Sequence, residues 1–318
     1  MKIIFMGTPD FGVPVLREIV ECGHDICAVV TQPDRPKGRG KGVAISPVKE
    51  EALKLGIPVF QPEKVKSPDA VAHLRSLKPD VIVVVAFGQI LSQEILDIPR
   101  YGCVNVHASL LPKYRGAAPI QKAILDGEKA TGITTMLMDK GLDTGDILLQ
   151  EVVEISDDET GGSLFMKLSH VGARLLTETL KRLEDGSVTP VPQRGESSYA
   201  GMLDKTMGLV DWEQDASVIE RQIRAMDPWP SAYTYYEGRL LKLWKAEILD
   251  IDGDIPDHDI EGGAPGTVIS AESSGIDILT GNGILRILEL QPEGKKRMET
   301  ASFLRGHKMP EGSVLGER

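Results

Sequence analysis

Residues 81–87 read VIVVVAF, an apolar run without a single polar interruption. A strand with one wet face alternates apolar and polar residues. A run of this length without alternation predicts a central strand buried on both faces, as in a parallel sheet covered by helices. Working outward, strand-like runs at residues 3–6, 26–31, 59–60 and 103–106 are separated by helical patterns. That order predicts an α/β unit with a mostly parallel sheet. Two helix starts are marked by Ser46-Pro47 and Ser67-Pro68, a capping hydroxyl followed by proline at the first helical position. A helix over residues 118–125, strands at 131–138 and 147–155, and a long helix over 164–183 complete this half.

The chain then becomes rich in proline, glycine and serine, which places a linker at residues 190–206, between a first domain at 1–189 and a second at 207–318. Beyond it, a helix at 216–226 precedes short alternating strands at 232–236, 240–248, 266–269, 275–280 and 284–290. These predict a small β-barrel. The acidic run 250–261 reads as a solvated loop.

Composition sets outer limits. The chain has 318 residues, 41% hydrophobic and 26% charged, which is ordinary for a globular protein. Its longest apolar run is too short to span a bilayer, and no signal peptide is legible at the start. Three cysteines without CxxC spacing and scattered histidines predict a reduced, cytoplasmic protein without a metal site. A net charge of −11 argues against non-specific coating of nucleic acid. Against that background, the loop 32–46 concentrates Arg35, Lys37, Arg39 and Lys41 among glycines, with Lys49 nearby, and predicts a local contact with a polyanion.

Chemistry is concentrated at residues 101–116, YGCVNVHASLLPKYRG. Asn105 and His107 lie two residues apart on a strand, so they share a face that Val104 and Val106 do not. Proline at 112 cannot continue the strand, so residues 109–112 fold over its end. An amide and a protonated imidazole about 7 Å apart are able to converge on an oxygen that becomes negative during acyl transfer; equally, both side chains could be satisfied members of a core. Asp143, in Gly-Leu-Asp-Thr-Gly, is suited to holding the histidine or receiving a proton, although a lone aspartate in such a loop is often a turn residue. Cys103 shares their face, but roughly 13 Å of strand separates it from His107, too far for a Cys–His dyad. The turn at residues 7–12, GTPDFG, has glycines spaced wrongly for a dinucleotide; it either shapes the acceptor pocket or simply joins a strand to a helix.

Taken together, FMGTPDFGVPVL, TQPDRPKGRGK, NVHASLLPKYRGAAPIQKAIL, MDKGLDTGDIL, IRAMDPWPSA and ILELQPEGKK resemble the 10-formyltetrahydrofolate-dependent formyltransferases over essentially the whole chain. Within them, the basic loop and the C-terminal motifs resemble the methionyl-tRNA formyltransferases. The resemblance implies a Rossmann-like first domain and an OB-like second domain that helps to bind tRNA. It also implies formyl transfer from 10-formyltetrahydrofolate, as co-substrate, to the α-amino group of initiator methionyl-tRNA, for translation initiation by a cytoplasmic monomer with no membrane partner and no metal. By motif, Asn105, His107 and Asp143 are the catalytic trio. Ser109, Leu110, Leu111 and Pro112, with Phe87, Gly88 and Ile90, line the folate site, and Arg35, Lys37, Arg39 and Lys41 touch the tRNA. A sugar-amine formyltransferase would share the trio but not need the basic loop, and a non-catalytic tRNA-binding module would not need the trio.

Overall fold

The computed structural model describes residues 1–36, 43–249 and 263–316. Lys37, Arg39, Lys41 and the acidic run 250–261 lie outside the described residues. The chain divides into two compact units: Met1–Pro119 with Ala130–Glu154 and Leu164–Gly201, and Ile120–Lys129 with Ile155–Ser163 and Met202–Arg318.

In the first unit the strands are β1 (Lys2–Gly7), β2 (Asp25–Val30), β3 (Arg35–Pro36), β4 (Val43–Ala44), β5 (Val59–Phe60), β6 (Val81–Val85), β7 (Cys103–His107), β8 (Arg115–Gly116), β9 (Ala130–Leu137), β10 (Ile147–Glu154) and β11 (Tyr199–Ala200). The helices over the same stretch of chain are α1 (Gly12–Glu21), α2 (Pro47–Lys54), α3 (Pro68–Ser76), α4 (Gln93–Leu96), α5 (Pro119–Leu125) and α6 (Gly161–Glu184). Seven strands form one sheet in the order β10-β9-β7-β6-β1-β2-β5. From β5 to β7 the pairing is parallel, and β9 and β10 add antiparallel strands at one edge.

All five residues of β6 are buried, as the unalternated run requires. The order reverses between β1 and β6, the switch point beyond whose carboxyl ends such sheets bind ligands. Ser46 and Ser67 cap α2 and α3, accepting from the backbone N–H of Lys49 and Ala70. Gly172 lets α6 lie close on β7, because a Cβ there would come within 3.0 Å of Val106.

The second unit holds α7 (Ala216–Met226), β12 (Ala232–Tyr236), β13 (Arg239–Leu249), β14 (Val268–Glu272), β15 (Gly275–Leu279), β16 (Ile284–Pro292), β17 (Met298–Glu299) and α8 (Thr300–Leu304). Its antiparallel sheet runs β12-β13-β16-β15-β14, with β17 added to β16. The end strands β12 and β14 are not paired with each other among the described residues, the partly open form of an OB-like barrel. Ile219 and Ile223 of α7 join Leu243, Ile278, Leu285 and Leu290 in its core. No described helix is long and apolar enough to cross a membrane.

Candidate active site

β7 carries the site because its two neighbours bury it on both sides. Asn105 is level with Val84 of β6 and Met136 of β9, and His107 with Thr134 of β9. The two polar side chains are 8% and 6% exposed. Buried polar groups are almost always hydrogen-bonded. The Asn105 amide forms no hydrogen bond with any described residue, but it is not among the fully enclosed unpartnered groups, Ser92 Oγ and Thr131 Oγ1, so its polar atoms reach solvent.

His107 is held at one ring nitrogen and faces a carboxylate with the other. Its Nε2 lies 2.9 Å from the Tyr114 carbonyl. A carbonyl only accepts, so Nε2 carries a hydrogen, and any second ring proton sits on Nδ1. That nitrogen faces the Asp143 carboxylate at 3.7 Å. The same Asp143 Oδ2 accepts from the Gly116 N–H at 2.8 Å. His107 Nε2 is thus engaged by a carbonyl, while Nδ1 faces the carboxylate beyond hydrogen-bond distance.

The backbone around these groups is unusual. Ala86, Tyr114 and Asp143 all have positive φ, of 48°, 58° and 53°. Left-handed non-glycine residues are uncommon, and for a residue as bulky as tyrosine each costs of order 1–3 kcal/mol. They occur here where the carboxyl ends of β6 and β7 meet the loops that close over them. Gly145 belongs to the same construction, because a Cβ there would fall 1.7 Å from the Leu137 carbonyl oxygen.

The loop after β7 is fixed from within. Ser109 is fully buried and donates to the Lys113 carbonyl at 2.6 Å, while its own carbonyl accepts from Thr134 Oγ1 at 2.6 Å. The Leu111 N–H donates to that same Thr134 oxygen, and Gln150 Nε2 donates to both it and the Leu111 carbonyl. Leu111 is buried and its bond to Pro112 is cis. Of the expected folate-site residues, Ser109, Leu111 and Phe87 are thus buried. Leu110 and Pro112 are half-buried, Gly88 is exposed and Ile90 is 79% exposed. The Phe87 carbonyl receives Thr8 Oγ1 and Gln32 Nε2, which ties the turn after β1 to the same rim.

Arg35 is exposed on β3. Lys49, grouped by sequence with the basic loop, instead bonds Asp34 at 2.5 Å and Gln61 at 2.7 Å, so its charge is neutralised. Cys103 donates to the Ile95 carbonyl at 3.9 Å within an apolar cluster, and burial pushes its thiol up to about 12. A thiol so protonated is no nucleophile at neutral pH.

Comparison with known proteins gives a consistent picture. Residues 1–180 match the family described as formyl transferase, and residues 202–308 match the formyl transferase C-terminal domain. A methionyl-tRNA formyltransferase of Lachnospira eligens is 52% identical over 318 residues, all of both chains. Another, of Agathobacter rectalis, is 52% identical over 99% of each. Among solved structures, HypX from Aquifex aeolicus in complex with tetrahydrofolic acid superposes with a TM-score of 0.65 at 19% identity. All of this chain is covered, but only 51% of that longer one, and the likeness is one of fold.

Proposed function

Because the chain belongs to the formyl transferase family, we propose that it transfers the formyl group of 10-formyltetrahydrofolate to the α-amino group of initiator methionyl-tRNA. The observation that carries the reading is the Asn105 amide, without a hydrogen-bond partner among the described residues and open to solvent, on the same strand as a histidine that faces a carboxylate.

In this reading the methionyl amine, neutral in part at pH 7, attacks the formyl carbon. The carbonyl oxygen gains charge, and Asn105 donates to it. The amine must lose a proton as the new C–N bond forms, and the folate N10 must gain one as the old bond breaks. Asp143 takes that proton and returns it, with His107 Nδ1 facing its carboxylate to share the charge. The Tyr114 carbonyl fixes the imidazole so that Nδ1 stays on the Asp143 side. Leu110, Pro112, Gly88 and Ile90 form the accessible part of the folate rim, and Ser109, Leu111 and Phe87 hold it in shape. Arg35, with Lys37, Arg39 and Lys41, meets the tRNA backbone. Residues 1–189 form the catalytic domain, and 207–318 assist tRNA binding as part of a cytoplasmic monomer.

The test is a formyl-transfer assay with labelled 10-formyltetrahydrofolate, offered initiator methionyl-tRNA and an amino-sugar nucleotide in parallel. Label on the methionyl-tRNA, absent with His107→Ala, is the expected result. Label on the sugar alone would keep the chemistry and overturn the acceptor; label on neither would overturn both.

A further inference from the structure

The stretch between the two matched family regions, residues 181–201, includes part of the chain that composition reads as a linker. It is bonded along its length to the loops that hold His107 and Asp143. Val191 exchanges two backbone hydrogen bonds with Ile147. Ser198 accepts from the Tyr114 N–H through its hydroxyl, at 2.8 Å, and from the Arg115 N–H through its carbonyl, at 2.9 Å. Tyr199 and Ala200 then pair with Arg115 and Gly116 as β11 on β8.

Gln193 lies between these anchors, and its side chain is fully engaged. Nε2 donates to the Asp143 carbonyl and to the Gly145 carbonyl, both at 2.8 Å. Oε1 accepts from Arg115 Nε at 3.2 Å and Nη2 at 2.6 Å. An amide has two N–H donors and two acceptor lone pairs, and all four are used. Because guanidinium only donates and a backbone carbonyl only accepts, the amide is satisfied in one orientation alone.

We propose that Gln193 is a positioning residue for Asp143. One amide holds the left-handed backbone of Asp143 on one side and, on the other, Arg115, the residue between Tyr114 and Gly116. Those neighbours are the groups that fix His107 Nε2 and Asp143 Oδ2. Gln193 therefore couples the two loops that set the His107–Asp143 distance. The inference rests on the catalytic reading of Asp143 given above.

The test uses the full-length protein and single-turnover formyl transfer at saturating substrates. Gln193→Ala is expected to slow the step about 10- to 100-fold, the effect of a small misplacement of a reacting group. Gln193→Glu keeps acceptance from Arg115 but cannot donate to the two carbonyls, so it should be as slow as the alanine variant while still melting cooperatively. The deciding measurement is a double-mutant cycle with Asp143→Asn. In that background Gln193→Ala should cause less than about a twofold further fall, because the residue it positions is already lost. Multiplying effects, or a glutamate variant as fast as the native protein, would overturn the proposal. Native rate in Asp143→Asn alone would instead overturn the catalytic reading of Asp143.

Discussion

Replacing Asn105 by leucine should remove activity while leaving stability nearly unchanged. The amide is 8% exposed and has no partner among the described residues. The fully enclosed unpartnered side-chain groups among the described residues are Ser92 Oγ and Thr131 Oγ1, so the Asn105 amide reaches solvent. Leucine has nearly the same shape, so the variant should keep the fold without opening a void and change stability by less than about 1 kcal/mol. For a unit of this size that bound corresponds to a shift of at most about 2–4 °C in Tm. The same change removes the free donor proposed for the oxyanion. Loss of one such donor typically slows the chemical step by about 10²–10³, or about 2.7–4 kcal/mol. Asn105→Ala should show the same rate loss with some loss of stability, since truncation leaves a cavity. Urea unfolding and single-turnover formyl transfer, run on the same preparations, measure the two quantities. A leucine variant destabilised by more than about 2 kcal/mol would mean that the amide is hydrogen-bonded. A rate loss below tenfold would remove Asn105 from the chemistry.

Two more outcomes follow from burial and charge. Iodoacetamide at pH 8 should label exposed Cys22 in the native protein and reach Cys103 only after unfolding, because burial holds that thiol near 12; Cys103→Ala should retain turnover. Native labelling of Cys103, read by peptide mass spectrometry, would refute this. The Arg17 guanidinium donates to both carboxylate oxygens of buried Glu51, at 2.6 and 2.8 Å, and holds that carboxyl below its ordinary value of 4.5. A depressed carboxyl stabilises the fold fully above its ordinary value, and the contribution is lost as pH falls through the lower folded value. Glu51→Gln should therefore lower the urea midpoint at pH 7, with the difference from the native protein shrinking at pH 3.5; an equal difference at both pH values would rule out the ion pair as its source.

Positive φ values at Ala86, Tyr114 and Asp143 are local violations of what a stable fold prefers. They persist because surrounding hydrogen bonds over-determine the loops. Thr134 illustrates this, since its single hydroxyl joins the Ser109 carbonyl, the Leu111 N–H and Gln150.

The sequence by itself determined the main strands and helices and their order, but not the two-residue strands β3, β4, β8, β11 and β17 or the helix α8. The apolar run at 81–87 specified a doubly buried strand, and serine-proline pairs specified the starts of α2 and α3. The two-residue spacing of Asn105 and His107 put both on one face of β7. These are local properties, carried by the periods of strand and helix and by capping chemistry, so they are legible without a fold. Tertiary structure decided which polar groups find partners. Gln193 stands 50 residues from Asp143 and 78 from Arg115, and nothing in its proline-, glycine- and serine-rich surroundings marks it. Lys49 looked free in a basic stretch until the fold brought Gln61 beside Asp34. A hydrogen bond depends on tenths of an ångström between atoms that only the packed chain brings together. The residue types therefore announced the chemistry, and the fold chose which amide was held and which was left open.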